Sequence, residues 1–331
     1  MQMAPRRPSQ SGFSLIELMI AMTLGLVLMA GVGALSLNMT RSHRALNQAG
    51  QQIEHGRHAL AILIDDLEHA GFFGQFAPSL AGLTLPLAAP DPCVTSSPPL
   101  KNYADSLLLP ITGTCGTTLT NRLANTNMLV LLRANTTITP PGNIMTGNTY
   151  IQTTSSHYII GTACANNMLC ANFISNAGGT TNAFSLQQPN GSPADLRQFH
   201  VHVYYIRSYS QSGDNIPTLV RKSPADNDNL AQPVVEGIEN MQLQYGVDDN
   251  LDGAPDRYLA TPVPLPATDW ANIVTVRVNL LARSVDADFA SPADNKTYDL
   301  GNLMLTPGGH YRRHVFSGVA RIVNISSRRE Q

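Results

Sequence analysis

The chain has 331 residues, a formal net charge of −2 and only 13% charged residues against 43% hydrophobic ones. That balance excludes a disordered acidic chain and leaves no footprint for nucleic acid. The length allows one large or two small domains beyond any anchor.

Residues 1–12 form a polar leader containing Arg6, Arg7 and Gly12. From Phe13 to Leu37 the sequence is apolar, with Glu17 as its single charge. Such a run is long enough to cross a bilayer, which takes ~20 residues at 1.5 Å each. A charge inside hydrocarbon costs roughly 2.5–3.5 kcal/mol, so Glu17 needs a partner or a role. A secretory signal also starts basic and continues apolar, but the acid at the head of the core and the length of the run argue against one. Arginines flank both ends, Arg6 and Arg7 before and Arg41 and Arg44 after, so charge does not set orientation.

Gly12-Phe13-Ser14-Leu15-Ile16-Glu17-Leu18 resembles the processing motif of type IV prepilins and type II secretion pseudopilins. The resemblance implies that a prepilin peptidase cuts between Gly12 and Phe13 and methylates the new amine. Glu17 then becomes the fifth residue of the mature chain and pairs with the Phe13 amine of a neighbouring subunit. Many pilins carry a helix-breaking proline later in this segment; here none lies between Phe13 and Pro78.

Beyond Leu37 the pattern turns amphipathic. Leu46, Ala49, Ile53, Leu60, Leu63, Ile64, Leu67 and Ala70 recur mostly at three- and four-residue steps, with Arg41, Arg44, Gln48, Glu54, Arg57 and Asp65 on other faces. This predicts one helix from Phe13 to about Ala70, roughly 85 Å long, ended by Gly71 and Gly74 and laying one side on a globular domain. His55, His58 and His69 lie on it beside Glu54 and Glu68, but without the H-E-x-x-H spacing, and read as polar helix surface.

Residues 75–126 are rich in Pro, Ser, Thr and Gly and read as a stapled surface excursion. The four cysteines, Cys93, Cys115, Cys164 and Cys170, all follow the apolar segment. An even count in an exported domain reads as two disulfides. Of three connectivities, Cys93–Cys115 and Cys164–Cys170 are preferred because each closes a local loop. Zinc is disfavoured by the absence of a C-x-x-C pair. Strands are predicted at Met128–Leu132, Thr149–Thr153, Tyr158–Ile160, Phe184–Gln187 and Phe199–Ser208. The last alternates Phe199, Val201, Val203 and Tyr205 with His200, His202 and Tyr204. From Ala134 to Ala194 there is no Lys, Arg, Asp or Glu, a surface suited to exported β-proteins or to contacts with other molecules. Further strands are expected at Leu219–Arg221, Asn272–Ala282 and Tyr311–Ile325, and strand or strand plus short helix over Val234–Tyr245. The class is α+β: a pilin-like long helix, membrane-spanning in its first half, packed on an antiparallel β-sheet domain. The domain reading is leader 1–12, transmembrane helix 13–37, amphipathic continuation 38–71, and a β-rich periplasmic or extracellular head 72–331.

Asp248, Asn250, Asp252, Ala254 and Asp256 have the spacing of a calcium loop, with Gly253 allowing the bend. Asp248, Asn250 and Asp252 would give side-chain oxygens, Ala254 its carbonyl, and Asp256 a direct or water-bridged ligand. The twelfth position is Leu259 rather than a bidentate Glu, so a ligand from elsewhere is needed. The competing reading is an Asx-rich hairpin turn without metal. No other cofactor is implied.

The stretches 215–221, 245–253 and 313–324 resemble PilW-type minor pilins. That resemblance implies a minor pilin in type IV pilus assembly, in a tip or priming complex. Its partners would be the prepilin peptidase, other minor pilins, the major pilin and the inner-membrane assembly machinery. It would be a single-pass inner-membrane protein first and part of the pilus afterwards. The alternatives are a J-type pseudopilin of type II secretion and a pilus-tip adhesin or DNA-contacting subunit with residues 75–195 as its face. No catalytic constellation is visible, so no enzyme is expected.

Overall fold

The computed structural model describes residues 14–78, 81–87, 89, 91, 99–115, 119, 121–164, 169–177, 183–223, 231–260, 265–289 and 291–326. By its internal contacts the chain divides into two compact units, Met1–Gly50 and Gln51–Gln331. Helix α1 (Leu15–Glu68) is continuous, as the periodicity predicts. In the first unit its apolar side chains are exposed, from Leu15 to Met39.

In the second unit α1 buries a stripe of Gln52, Gly56, Ala59, Leu63, Asp66, Leu67 and Ala70. These three- and four-residue steps keep one line of the helix against its neighbours. The stripe differs from the predicted one at its start: Ile53 is 43% exposed, and Gln52 takes the inward position, donating to the Ala282 carbonyl at 2.8 Å. Gly56 is inward because nothing larger fits; a Cβ there would lie 2.1 Å from the Phe316 ring. The helix stops where two glycines adopt positive φ, Gly71 at 74° and Gly74 at 71°.

After the helix come α2 (Pro99–Asp105), β1 (Ile111–Thr112), β2 (Leu129–Ala134), β3 (Thr149–Thr153), β4 (Tyr158–Ala163), β5 (Leu169–Ser175), β6 (Asp195–Arg207), β7 (Thr218–Lys222) and β8 (Gln232–Glu236). The C-terminal part adds β9 (Ile238–Val247), β10 (Arg257–Ala260), α3 (Ala267–Ala271), β11 (Ile273–Arg283), β12 (Tyr298–Asp299), β13 (Met304–Leu305), β14 (Arg313–Arg321) and α4 (Val323–Ser326). Among the described residues the strands form two main antiparallel sheets and a small ribbon. The first has the order β1-β2-β6-β3-β4-β5, with β7 paired to β6 and β8 to β7. The second runs β10-β9-β11-β14.

The long strand β6 organises the first sheet. Its residues 199–204 pair with β2, 195–198 with β3, and 203–207 with β7. Both of its faces are covered. Phe199, Val201, Val203 and Tyr205 join Phe73, Phe76, Tyr103 and Leu107 in one core. Tyr204 and Ile206 join Leu63, Leu67, Met241, Val278 and Phe316 in the other. Residues 75–126 are therefore not wholly a surface excursion: Phe76, α2 and the turn after it roof the apolar face of β6, which would otherwise meet water.

Local chemistry explains the other departures. Phe184–Gln187 does not become a strand and keeps only a bridge from Gln187 to Pro193; Pro189 and Pro193 remove donors that a ladder needs. The predicted Val234–Tyr245 element splits into β8 and β9 at Gly237, where φ is 76° and a Cβ would lie 2.7 Å from the Arg283 carbonyl. The last strand ends at Arg321, and Asn324 in α4 donates to the Ala70 carbonyl at 3.1 Å, satisfying an orphan group past the end of α1. Arg313, 2% exposed, donates to Glu239 at 2.6 and 3.1 Å and to Asp294 at 3.0 Å, tying β14 to the end of β9 and to the loop after β11.

Gly56→Ala will destabilise the protein by roughly 1–3 kcal/mol through overpacking, although Ala is the better helix former by about 1 kcal/mol. Adding Phe316→Leu will recover part of that loss. Chemical denaturation of the two variants checks this; a more stable single variant would show that the helix does not press on Phe316.

Candidate assembly helix and the cluster that anchors it

Two features of α1 stand apart chemically, one in each unit. In the first, fifteen large apolar side chains between Leu15 and Met39 are each 54–77% exposed. A helix that is apolar all round and unpacked suits lipid or other apolar helices, not water. Glu17 is the only charge among them, in the first turn, and among the described residues it forms no ion pair. Its backbone N–H donates to the Ser14 carbonyl at 3.0 Å. Gly12 and Phe13, the expected processing pair, lie outside the described residues.

In the second unit the inward stripe contains a carboxylate, Asp66, whose side chain is 5% exposed. Arg133 of β2 donates to its Oδ1 at 2.5 Å. On Oδ2, His202 Nδ1 approaches to 2.6 Å and the Tyr204 hydroxyl donates at 2.8 Å, both from β6. An ionised carboxylate only accepts, so His202 carries its proton on Nδ1. Burial alone would raise the Asp66 pKa. The His202 hydrogen bond and charge, Arg133 and Tyr204 outweigh it and hold the carboxyl down at about 2. His200 sits beside His202 with ring centroids 5.3 Å apart. Burial, then the neighbouring His202 and Arg133, lower its pKa to about 4.

Sequence reading missed this cluster. The alternation in β6 separates its polar positions from its apolar ones but names no partner for them; His202 and Tyr204 turn to the helix. The usable signal was Asp66 within the Leu63-Asp66-Leu67-Ala70 spacing, since an acid inside a buried stripe must find donors across the interface.

The other expected residues fall as follows. Cys164 and Cys170 form a disulfide with Cα atoms 5.2 Å apart, clipping β4 to β5. Cys93, and with it the second expected pairing, lies outside the described residues. His69 Nδ1 meets the Asp65 carbonyl at 2.7 Å. Among the described residues no group of three or more His, Cys, Asp or Glu is placed to hold a metal ion.

The 248–256 loop is closed by its own amides. Asp248 accepts from the N–H groups of Asp252 and Gly253 at 3.2 and 2.9 Å. Asp256 accepts from those of Asp249 and Asn250 at 2.8 and 3.2 Å. Asn250 Oδ1 accepts from Asp252 N–H at 3.0 Å, and Asp252 from Ala254 N–H at 2.8 Å. Leu251 and Gly253 have φ of 64° and 88°. This is the bonding of an Asx-rich turn between β9 and β10.

Comparison with known proteins gives two family matches. Residues 7–33 match the prokaryotic N-terminal methylation motif, and residues 203–324 match type IV pilus-assembly protein W. A type IV-like pilin from Thermus thermophilus is similar at 12% identity over 55% of this chain and 87% of its own, with a TM-score of 0.22. No curated protein sequence matches. A methylation motif on an exposed apolar helix, followed by a helix-on-sheet head, defines a type IV pilin. Within that class the two matches support a minor pilin of the PilW family; the second covers β6 from Val203 onward through the anchoring Asn324.

Two outcomes follow. Asp66 is lowered from 3.8 to about 2 on folding, so its stabilisation is present above pH ~4 and is lost as pH falls towards 2. His200 is lowered from 6.5 to about 4, so folding excludes a proton that the unfolded chain takes up, and stability declines as pH falls from 6.5 towards 4. Asp66→Asn will cost about 3 kcal/mol at pH 7 and flatten the lower limb, whereas His200→Gln will flatten the upper one; thermal melts across pH 2–8 separate them. The calcium reading of the 248–256 loop requires a melting temperature several degrees higher in excess calcium than in chelator, with the difference removed by Asp248→Asn; coincident melts discard it.

Proposed function

We propose that this minor pilin is cut between Gly12 and Phe13 by a prepilin peptidase, held in the inner membrane by α1 with its head in the periplasm, and built into the pilus in a tip or priming complex. Its partners there are other minor pilins and the major pilin. It works by packing rather than by catalysis. The observation that carries the reading is the exposed apolar helix with one acid in its first turn. Fifteen bare apolar side chains call for lipid before assembly and for other helices after it. A carboxylate among them is tolerable only where a cation meets it. The methylated amine of Phe13 on a neighbouring subunit is such a cation, and pairing with Glu17 fixes how far one helix advances past the next.

Mass analysis of the N-terminal peptide from membranes holding the peptidase will show a chain starting at methylated Phe13. A chain starting at Met1 would remove the basis for assembly. Glu17→Ala will leave cleavage intact yet lower incorporation into pili at least about tenfold, the factor that ~1.4 kcal/mol sets. Incorporation at the native level would refute the pairing.

A further inference from the structure

The head carries a recess of about 330 Å³ between the segment before β2 and the outer face of β9, closed on one side by the turn joining β12 and β13. Its polar lining includes Arg122, Asn127, Gln242 and Thr114, with Met128 and Leu303 supplying apolar wall. Among the described residues no carboxylate lines it. Arg122 makes one long bond, from Nη1 to the Thr126 carbonyl at 3.4 Å, so most of its donors remain.

Two buried amides complete the site. Asn127 is 8% exposed and Gln242 is 3% exposed. The fold uses one end of each. Asn127 Oδ1 accepts from Leu243 N–H at 2.8 Å. Gln242 Nε2 donates to the Asn125 carbonyl at 2.7 Å and to Asn240 Oδ1 at 2.8 Å. The opposite ends, the Asn127 NH₂ and Gln242 Oε1, have no partner among the described residues. Neither atom is sealed off as a buried orphan, so each is open to the recess. Here a fixed donor and a fixed acceptor, with the guanidinium of the exposed Arg122 beside them, line one recess of the size of a single sugar ring.

We propose that this recess binds a sugar acid. Its carboxylate meets Arg122 as a charge-assisted pair. Its ring hydroxyls, each both donor and acceptor, meet the Asn127 amide and Gln242 Oε1. The amides cannot rotate to suit another ligand, because their other ends are locked by the fold. The site lies in the head and is independent of α1, so it stands or falls apart from the assembly role.

The test is a ligand-detected NMR titration of the full-length chain in detergent micelles. The probes are D-glucuronate, D-glucose, acetate and an N-acetylated dipeptide with a free C-terminus. Glucuronate will bind at least tenfold more tightly than the other three. Arg122→Gln will reduce it to the level of glucose. Asn127→Asp keeps the acceptor for Leu243 N–H but turns the recess-facing donor into an anion; it will abolish binding, with the melting temperature preserved to show an intact fold. No binding of glucuronate overturns the proposal. So does equal binding of acetate, which marks a simple anion site, or tighter binding of the dipeptide, which marks a chain-terminus site. Unchanged glucuronate binding in both variants places it elsewhere and also overturns the assignment.

Discussion

A carboxylate in the buried stripe of a helix is costly until something solvates it, and among the described residues it is the sheet that supplies the donors for Asp66. Arg133 comes from β2, and His202 and Tyr204 come from β6. All three reach Asp66 only if β2 and β6 are paired in register and α1 lies across them at one depth. Leu63 and Leu67 on either side of Asp66 would pack acceptably in several neighbouring positions, since apolar contact is not directional. The carboxylate removes that freedom. Gly56 against Phe316 and Asn324 against the Ala70 carbonyl fix the same helix at two other places, one by close approach and one by a hydrogen bond.

The second constraint is that β6 is covered on both faces. A strand with one solvent face can tolerate loose loops nearby; one with two apolar neighbourhoods cannot. This recruits α2, Phe73 and Phe76 into a roof, and leaves the charge-poor segment after Ala134 on the far strands of the same sheet. The second sheet, matched to the PilW family, is held by a denser set of charges around Arg313 and Glu239.

The long helix and several strands were legible because their periods are simple. The apolar run from Phe13 needs no partner to be read, and β3 falls on Thr149–Thr153 as its pattern predicts. β11 is legible from the alternation of Val274, Val276 and Val278 with Thr275 and Arg277. What was not legible depends on pairs distant in sequence. Asp66 and His202 are 136 positions apart, and neither pattern names the other. The polar face of β6 was not legible because alternation tells which residues are apolar, not whether the polar side meets water or a buried charge. The division into two sheets depends on which edges pair, and composition does not carry that. The 248–256 loop was legible as a turn; whether its oxygens serve amides or an ion is invisible in spacing alone.

The bare stretch of α1 also restricts the route by which this protein can be built into anything. Moving its fifteen exposed side chains from an apolar medium into water would cost on the order of 20–40 kcal/mol at the usual transfer value per side chain. No folding reserve of a head this size could offset that. The subunit therefore has no dissolved intermediate: it passes from one dry surroundings to the next by continuous contact, as a zip passes tooth to tooth. If the apolar surroundings are a membrane, as proposed above, recruitment is governed by collisions within a plane, and the rate depends on how crowded that plane is rather than on concentration in any surrounding volume.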